Sequence, residues 1–109
     1  MIYNNIRETI GQTPTIFYKR INTAEIYVKL EMFNPGGSVK DRIALEMIEA
    51  LLRDGVLTPN STVVEATSGN TGIGLALVLA SYGIHFVAIM TDNMSKERID
   101  LMKAYGAEI

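Results

Sequence analysis

The stretch from Thr62 to Tyr82 constrains this chain most. Strand-forming residues, Thr62-Val63-Val64-Glu65-Ala66, run into six small or polar ones, Thr67-Ser68-Gly69-Asn70-Thr71-Gly72. From Thr71 to Tyr82 the chain is then apolar nearly all round. A helix with that pattern needs neighbours on every side. A strand that feeds such a helix through a tight connection is the first half of a βαβ unit. The second strand is present: Gly83 stops the helix, and His85-Phe86-Val87-Ala88-Ile89-Met90 follows. Both strands read as buried, as parallel strands covered on two faces are. The expected fold class is α/β, with right-handed βαβ units around a parallel sheet in three layers.

The flanking segments fit that plan. Pro14–Tyr18 and Ile26–Leu30 are short strand-forming runs separated by Asn22-Thr23-Ala24. Asn34-Pro35-Gly36-Gly37 is a turn. Ser38 reads as a helix N-cap, with Asp41 three residues on as a variant capping box. Ile43, Ala44, Met47, Ile48, Leu51 and Leu52 recur at helical spacing, which predicts a helix over 38–53 that Gly55 ends. Ser95 caps a third helix, with Ile99, Met102 and Tyr105 on one face and Gly106 at its end. Ala107-Glu108-Ile109 starts a further strand. Two secure parallel strands and the start of a third leave an unpaired edge, and such edges recruit partners. The expectation is a piece of a larger protein or an obligate oligomer.

Composition excludes several functions. A chain of 109 residues allows one small domain. Its net charge of −2, without a basic stripe, speaks against nucleic acid as a partner. There is no cysteine and only one histidine, which removes disulfides, thiolate or multi-histidine metal sites and cysteine nucleophiles. The longest apolar stretch, Ile73 to Tyr82, is far short of the roughly 20 residues a bilayer requires. The first eight residues show no signal-peptide pattern. The default expectation is a cytoplasmic protein with no membrane partner.

Two segments can carry chemistry. Lys40 falls at the start of the first predicted helix, where unpaired N–H groups and the macrodipole disfavour a cation. A neutral lysine amine is suited to Schiff-base formation with an aldehyde. The plainer alternative is a solvated Lys40-Asp41-Arg42 surface triplet, with Asp41 and Arg42 as first-turn helix charges. The second segment is Thr67–Gly72, placed where open α/β proteins bind ligands. The following helix aims free N–H groups at it, which suits an anion, and the glycines admit a ligand close to the backbone. Helix capping alone is the competing explanation. Gly69, Gly72 and Gly74, with Asp92 after the next strand, also suggest a nucleotide-binding βαβ, but the glycine order is inverted. Glu65 is a strand-end residue or a buried acid beside the loop, while His85, Phe86, Tyr82, Tyr105 and the methionines read as structural.

Taken together, Lys29-Leu30-Glu31, the run Asn34 to Arg42, the run Glu65 to Gly74 and the run Asp92 to Arg98 closely resemble cysteine synthase. That family is O-acetylserine sulfhydrylase, among the pyridoxal-phosphate enzymes of fold type II. Ile10-Gly11-Gln12-Thr13-Pro14 is similar to its N-terminal signature. The resemblance implies that Lys40 is the Schiff-base lysine and the base for the substrate's α-proton. It implies that Asn70 bonds the cofactor's ring hydroxyl, and that Thr67, Ser68, Gly69 and Thr71 bind the amino-acid carboxylate. The implied reaction is a β-replacement that turns O-acetylserine and sulfide into cysteine and acetate. Gln12, Thr15 and Thr91 depart mildly from the family pattern. The family's phosphate-binding loop and its group for the pyridine nitrogen have no counterpart here. The implied unit is a partial domain cut after its third helix, with little or no activity alone. Residues 1–35 are expected to be strands of the larger domain, and 36–109 a partial small α/β domain. A non-catalytic interaction module that pairs through the sheet edge is the other class of function considered.

Overall fold

Asn22 and Thr23 turn the chain back on itself between β1 (Thr15–Ile21) and β2 (Ala24–Lys29), which pair antiparallel. Asn22 takes a φ of 54°, a left-handed value that asparagine tolerates in hairpin turns. The register slips between Phe17 and Lys19, and the rings of Phe17 and Tyr27 meet edge to face at 5.7 Å. Every residue of β1 is exposed, so this hairpin has no core face in the chain as it stands. In this computed structural model of residues 1–109 the radius of gyration is 16.0 Å, against about 13 Å for a compact chain of this size. An uncovered hairpin accounts for a departure in that direction.

Besides two single-turn 3-10 helices (Ile6–Thr9 and Glu31–Phe33), the remaining elements are α1 (Lys40–Arg53), β3 (Thr62–Ala66), α2 (Asn70–Tyr82), β4 (His85–Ile89) and α3 (Lys96–Ala104). β3 and β4 pair in parallel, from Thr62 with His85 to Ala66 with Ile89. A third parallel strand starts as the sequence predicts: the Ala88 N–H donates to the Glu108 carbonyl, and the Glu108 N–H to that of Phe86. The fold is therefore α/β, with a parallel sheet and three helices. All residues of α2 from Gly72 to Leu79 are buried, the outcome its all-round apolar pattern demands. Gly83, at φ 69°, closes α2 in the left-handed conformation. Ala44 and Ile48 of α1, Phe86 and Ala88 of β4, and Met102 of α3 complete the core around α2. No residue from 11 to 43 belongs to that core.

The strands differ from expectation in their burial. β3 reads as a buried strand, yet only Val63 in it is even half-buried. In β4 Phe86 and Ala88 are buried, while His85 and Ile89 are exposed. Strand side chains alternate between faces, so the two strands are covered on one face only. The other face carries Val64 and Ile89, 55% and 56% exposed. A sheet this narrow cannot cover its own second side. Glu65 is exposed, so β3 places no buried acid beside the loop that follows it.

Candidate active site

The start of α1 is built from three consecutive charged residues with three different fates. Lys40 is the first helical residue and is exposed, and its amine makes no hydrogen bond or ion pair. Its backbone N–H donates to the Ser38 hydroxyl at 3.1 Å. The expected box between Ser38 and Asp41 does not form, because Val39 is already helical and occupies the cap position. Asp41 reaches back past Ser38 to the turn before it. Its Oδ2 accepts the Gly36 N–H at 2.5 Å, while Oδ1 is buried without a partner. Gly36 is glycine for space: a Cβ there would sit 2.3 Å from Asp41 Oδ1.

Asp41 is 0% exposed, which corrects its reading as a solvated first-turn charge. Burial raises its carboxyl pKa, the Gly36 hydrogen bond opposes that rise, and the charge of Glu31 adds to it. Arg42 is half-buried and paired, not free in solvent. Its guanidinium forks onto Glu31, Nε to Oε2 at 2.7 Å and Nη2 to Oε1 at 2.9 Å, and also donates to the Gly11 carbonyl. Arg42 first, then Thr13, holds the Glu31 carboxyl down at about 2. Asn34 joins the network, donating to Glu31 and accepting from the Gly11 N–H. The start of α1 is thus tied to residues 11–34 by buried and half-buried polar contacts.

These two carboxylates act on stability in opposite senses. Asp41 has a raised folded pKa, so folding gains as pH falls through that value. Glu31 has a depressed one, so its contribution is full above the ordinary 4.5 and is lost as pH falls towards about 2. The urea midpoint should therefore pass through a maximum at mildly acidic pH. Asp41→Asn should abolish the rise from neutrality, and Glu31→Gln should flatten the acid fall. A midpoint that declines monotonically from pH 7 in the unsubstituted chain would contradict this assignment.

The loop after β3 is organised by one hydroxyl. Thr67 Oγ1 accepts the N–H groups of Gly69 at 3.3 Å and Gly72 at 2.9 Å. Gly69, at φ 157° and ψ −95°, takes a conformation open to glycine, and the Ile73 N–H bonds its carbonyl. The N–H groups of Ser68, Asn70 and Thr71 have no protein partner. They lie at the positive end of a helix of 13 residues, which suits an anion. Ser68 and Asn70 are exposed, Thr67 and Thr71 half-buried, and Gly69 buried. A cleft of about 450 Å³ opens at the carboxyl ends of both strands, lined by Ala66, Thr67, Ser68, Ile89, Met90 and Thr91. Lys40 and Asn70 do not line it.

Gly74 lets the start of α1 pack closely against α2. A Cβ at that position would lie 3.1 Å from the Lys40 carbonyl oxygen and 3.2 Å from Ala44 Cβ. The first turn of α1 therefore packs backbone to backbone against α2 at Gly74, which lies one helical turn after Asn70. The loop glycines also have protein neighbours of their own: Gly69 lies under Arg98, Gly72 against Thr67 and Met102, and Gly74 against α1. Those contacts account for the glycine spacing without a dinucleotide. No group of histidine, aspartate and glutamate residues is placed to hold a metal ion. Sequence reasoning missed Asp41, Gly36 and the fork between Arg42 and Glu31. The signal was a carboxylate five residues after a glycine turn, which local pattern does not separate from a helix-start acid.

Fold and site define an open α/β chain with a lysine at the start of one helix and a loop of free N–H groups at the start of the helix packed against it. The chain belongs to the family of pyridoxal-phosphate dependent enzymes, which matches residues 6–109. It is 55% identical to the cysteine synthase of Staphylococcus aureus over 109 residues, 97% of this chain and 35% of that protein. It is 50% identical to the probable cysteine synthase of Bacillus subtilis, covering 99% of this chain and 36% of the relative. Among crystal structures, O-acetylserine sulfhydrylase isoform 3 from Entamoeba histolytica superposes with a TM-score of 0.92 at 44% identity. That match covers 99% of this chain and 34% of the other. The chain thus spans about a third of the length of the relatives it matches.

Proposed function

We propose that this chain carries the lysine and the carboxylate-binding loop of a cysteine synthase. The reaction would be the β-replacement of O-acetylserine by sulfide, giving cysteine and acetate. The observation that carries the reading is that the helix opening on Lys40, whose amine is unpartnered, packs against the helix whose start leaves three loop N–H groups free. These residues fit pyridoxal phosphate: an exposed amine for its aldehyde, and Asn70 at the helix start for its ring hydroxyl. When bound, that cofactor supplies an electron sink for charge developing at the substrate's α-carbon. Lys40 Nζ would hold the cofactor and then take the α-proton. Ser68, Asn70 and Thr71 would grip the substrate carboxylate with backbone N–H groups, helped by the Thr67 and Thr71 hydroxyls and the room that Gly69 leaves.

The domain assignment forms part of this proposal. Residues 1–35 would complete a larger domain, which the uncovered hairpin supports, and 36–109 would form part of a small one. By the same reasoning the exposed Val64 and Ile89 favour association with further protein, either a second copy or the rest of such an enzyme. The proposed compartment is the cytoplasm. No helix here is long and apolar enough to cross a membrane.

Reductive trapping tests the lysine. The chain is incubated with pyridoxal phosphate and cyanoborohydride, digested and mapped by mass spectrometry. Lys40 should be labelled ahead of Lys19, Lys29, Lys96 and Lys103. Lys40→Ala should remove that product without moving the thermal midpoint, because the side chain is exposed. Even labelling of all five lysines would defeat the assignment. On the intact protein, cysteine formation from O-acetylserine and sulfide tests the reaction itself.

A further inference from the structure

The loop at 67–71 has one side-chain anchor from a third helix. Arg98, on the first turn of α3, donates from Nη1 to the Ser68 carbonyl at 3.1 Å. It is the only side chain outside the loop and its helix start that hydrogen-bonds the loop. The acceptor matters, because the Ser68 carbonyl and the Gly69 N–H are the two ends of one peptide unit. Thr67 Oγ1 holds the Gly69 N–H and Arg98 holds the Ser68 oxygen, so the unit is pinned at both ends. Gly69 leaves room for this arrangement, since a Cβ there would stand 2.5 Å from Arg98 Nη1 and 2.8 Å from Cζ. Met102, one helical turn further on in α3, packs against Gly72, 3.0 Å from where its Cβ would be. α3 therefore meets the loop at two of its glycines.

The charge of Arg98 is equally informative. Lys96 pairs with Asp100 on the same helix, whereas no carboxylate pairs with Arg98. An unpaired guanidinium thus lies against a loop whose free N–H groups already favour an anion. We infer that Arg98 is a positioning residue for the carboxylate cradle: it fixes the Ser68–Gly69 peptide plane, so that the free N–H groups face the ligand and not a carbonyl oxygen. This rests on the carboxylate role proposed above for the loop. It gives α3 a part in the site, as the element whose placement sets the loop's readiness.

The test is a titration of the 109-residue chain with sodium acetate, followed by amide NMR. In the unsubstituted chain the Ser68, Asn70 and Thr71 signals should shift saturably. Arg98→Gln should weaken the apparent affinity about tenfold, the scale of a lost charge-assisted contact. Arg98→Lys, which keeps the charge and one donor, should recover part of that loss. Independently of ligand, Arg98→Gln should speed hydrogen exchange at the Gly69 amide. Selective labelling of Lys40 should be unchanged, since no hydrogen bond or ion pair links Arg98 to α1. Acetate affinity and Gly69 exchange both unaltered in Arg98→Gln would overturn the inference. Absence of any shift in the unsubstituted chain would remove the carboxylate cradle and the role of Arg98 with it. The Lys40 assignment would stand or fall separately by trapping.

Discussion

Leu79→Ala should lower the unfolding free energy by about 2–5 kcal/mol, a large part of the 5–15 kcal/mol that holds a typical small domain. Leu79 is fully buried in α2, the helix on which every other core element packs. Truncation removes apolar burial and leaves a cavity that few neighbours can fill, because α2 is enclosed by α1, α3 and the sheet. The surrounding core is small, and residues 11–43 add nothing to it. Urea unfolding followed by circular dichroism measures the loss, expected as a drop in midpoint of about 1 M or more. Val64→Ala is the companion. Val64 sits on the uncovered sheet face, so its truncation should change stability by no more than about 0.5 kcal/mol. Equal losses for the two variants would mean that α2 is not the centre of this fold.

That contrast shows where the sequence is legible. α2 could be read outright, because a helix apolar on all sides has one physical solution: burial on all sides. Its boundaries came within a residue, since Gly83 is a left-handed stop that the sequence states openly. The same holds for the third strand, which Ala107-Glu108-Ile109 is expected to begin and whose Glu108 pairs with β4. β3 departs from its expected burial for a reason of another kind. A run such as Thr-Val-Val-Glu-Ala carries the composition of a strand covered twice, but coverage depends on what lies across the sheet. Here one face has no partner within the chain. Composition reports what a strand was shaped to contact, not what is present to contact it.

The site divides in the same way. Thr67, Gly69 and the free N–H groups follow from a strand-loop-helix junction, a local feature that spacing alone reveals. Asp41 and Arg42 do not. Their partners are Gly36 in a turn and Glu31 eleven residues away, and only the packing of α1 against residues 11–34 brings these together. A charged triplet at a helix start is normally solvated, so the local reading favoured solvent for all three. Of the three, only Lys40 is exposed, and it is the one for which chemistry is proposed.

Gly74 is where fold and site meet, and Gly74→Leu should damage both together. A Cβ at that position would stand 3.1 Å from the Lys40 carbonyl, 3.2 Å from Ala44 Cβ and 3.3 Å from Asp41 Cα. Two of those atoms are backbone and the third is fixed to it, so no rotamer change can relieve the contact. Relief requires α1 to move away from α2, at a cost of at least the 1–3 kcal/mol typical of overpacking. The lowered urea midpoint is the first expected readout. The second is loss of selective Lys40 trapping, measured at a temperature where circular dichroism shows the variant folded. The Lys40 side chain is left in place and only its backbone is pressed, so lost selectivity must come from the displaced helix start. Gly74→Ala, which adds only the single Cβ, should shift both readouts in the same direction and less far. If Gly74→Leu folds with normal stability and Lys40 still reacts ahead of the other lysines, close approach of α1 to α2 at Gly74 is not what gives that amine its selectivity.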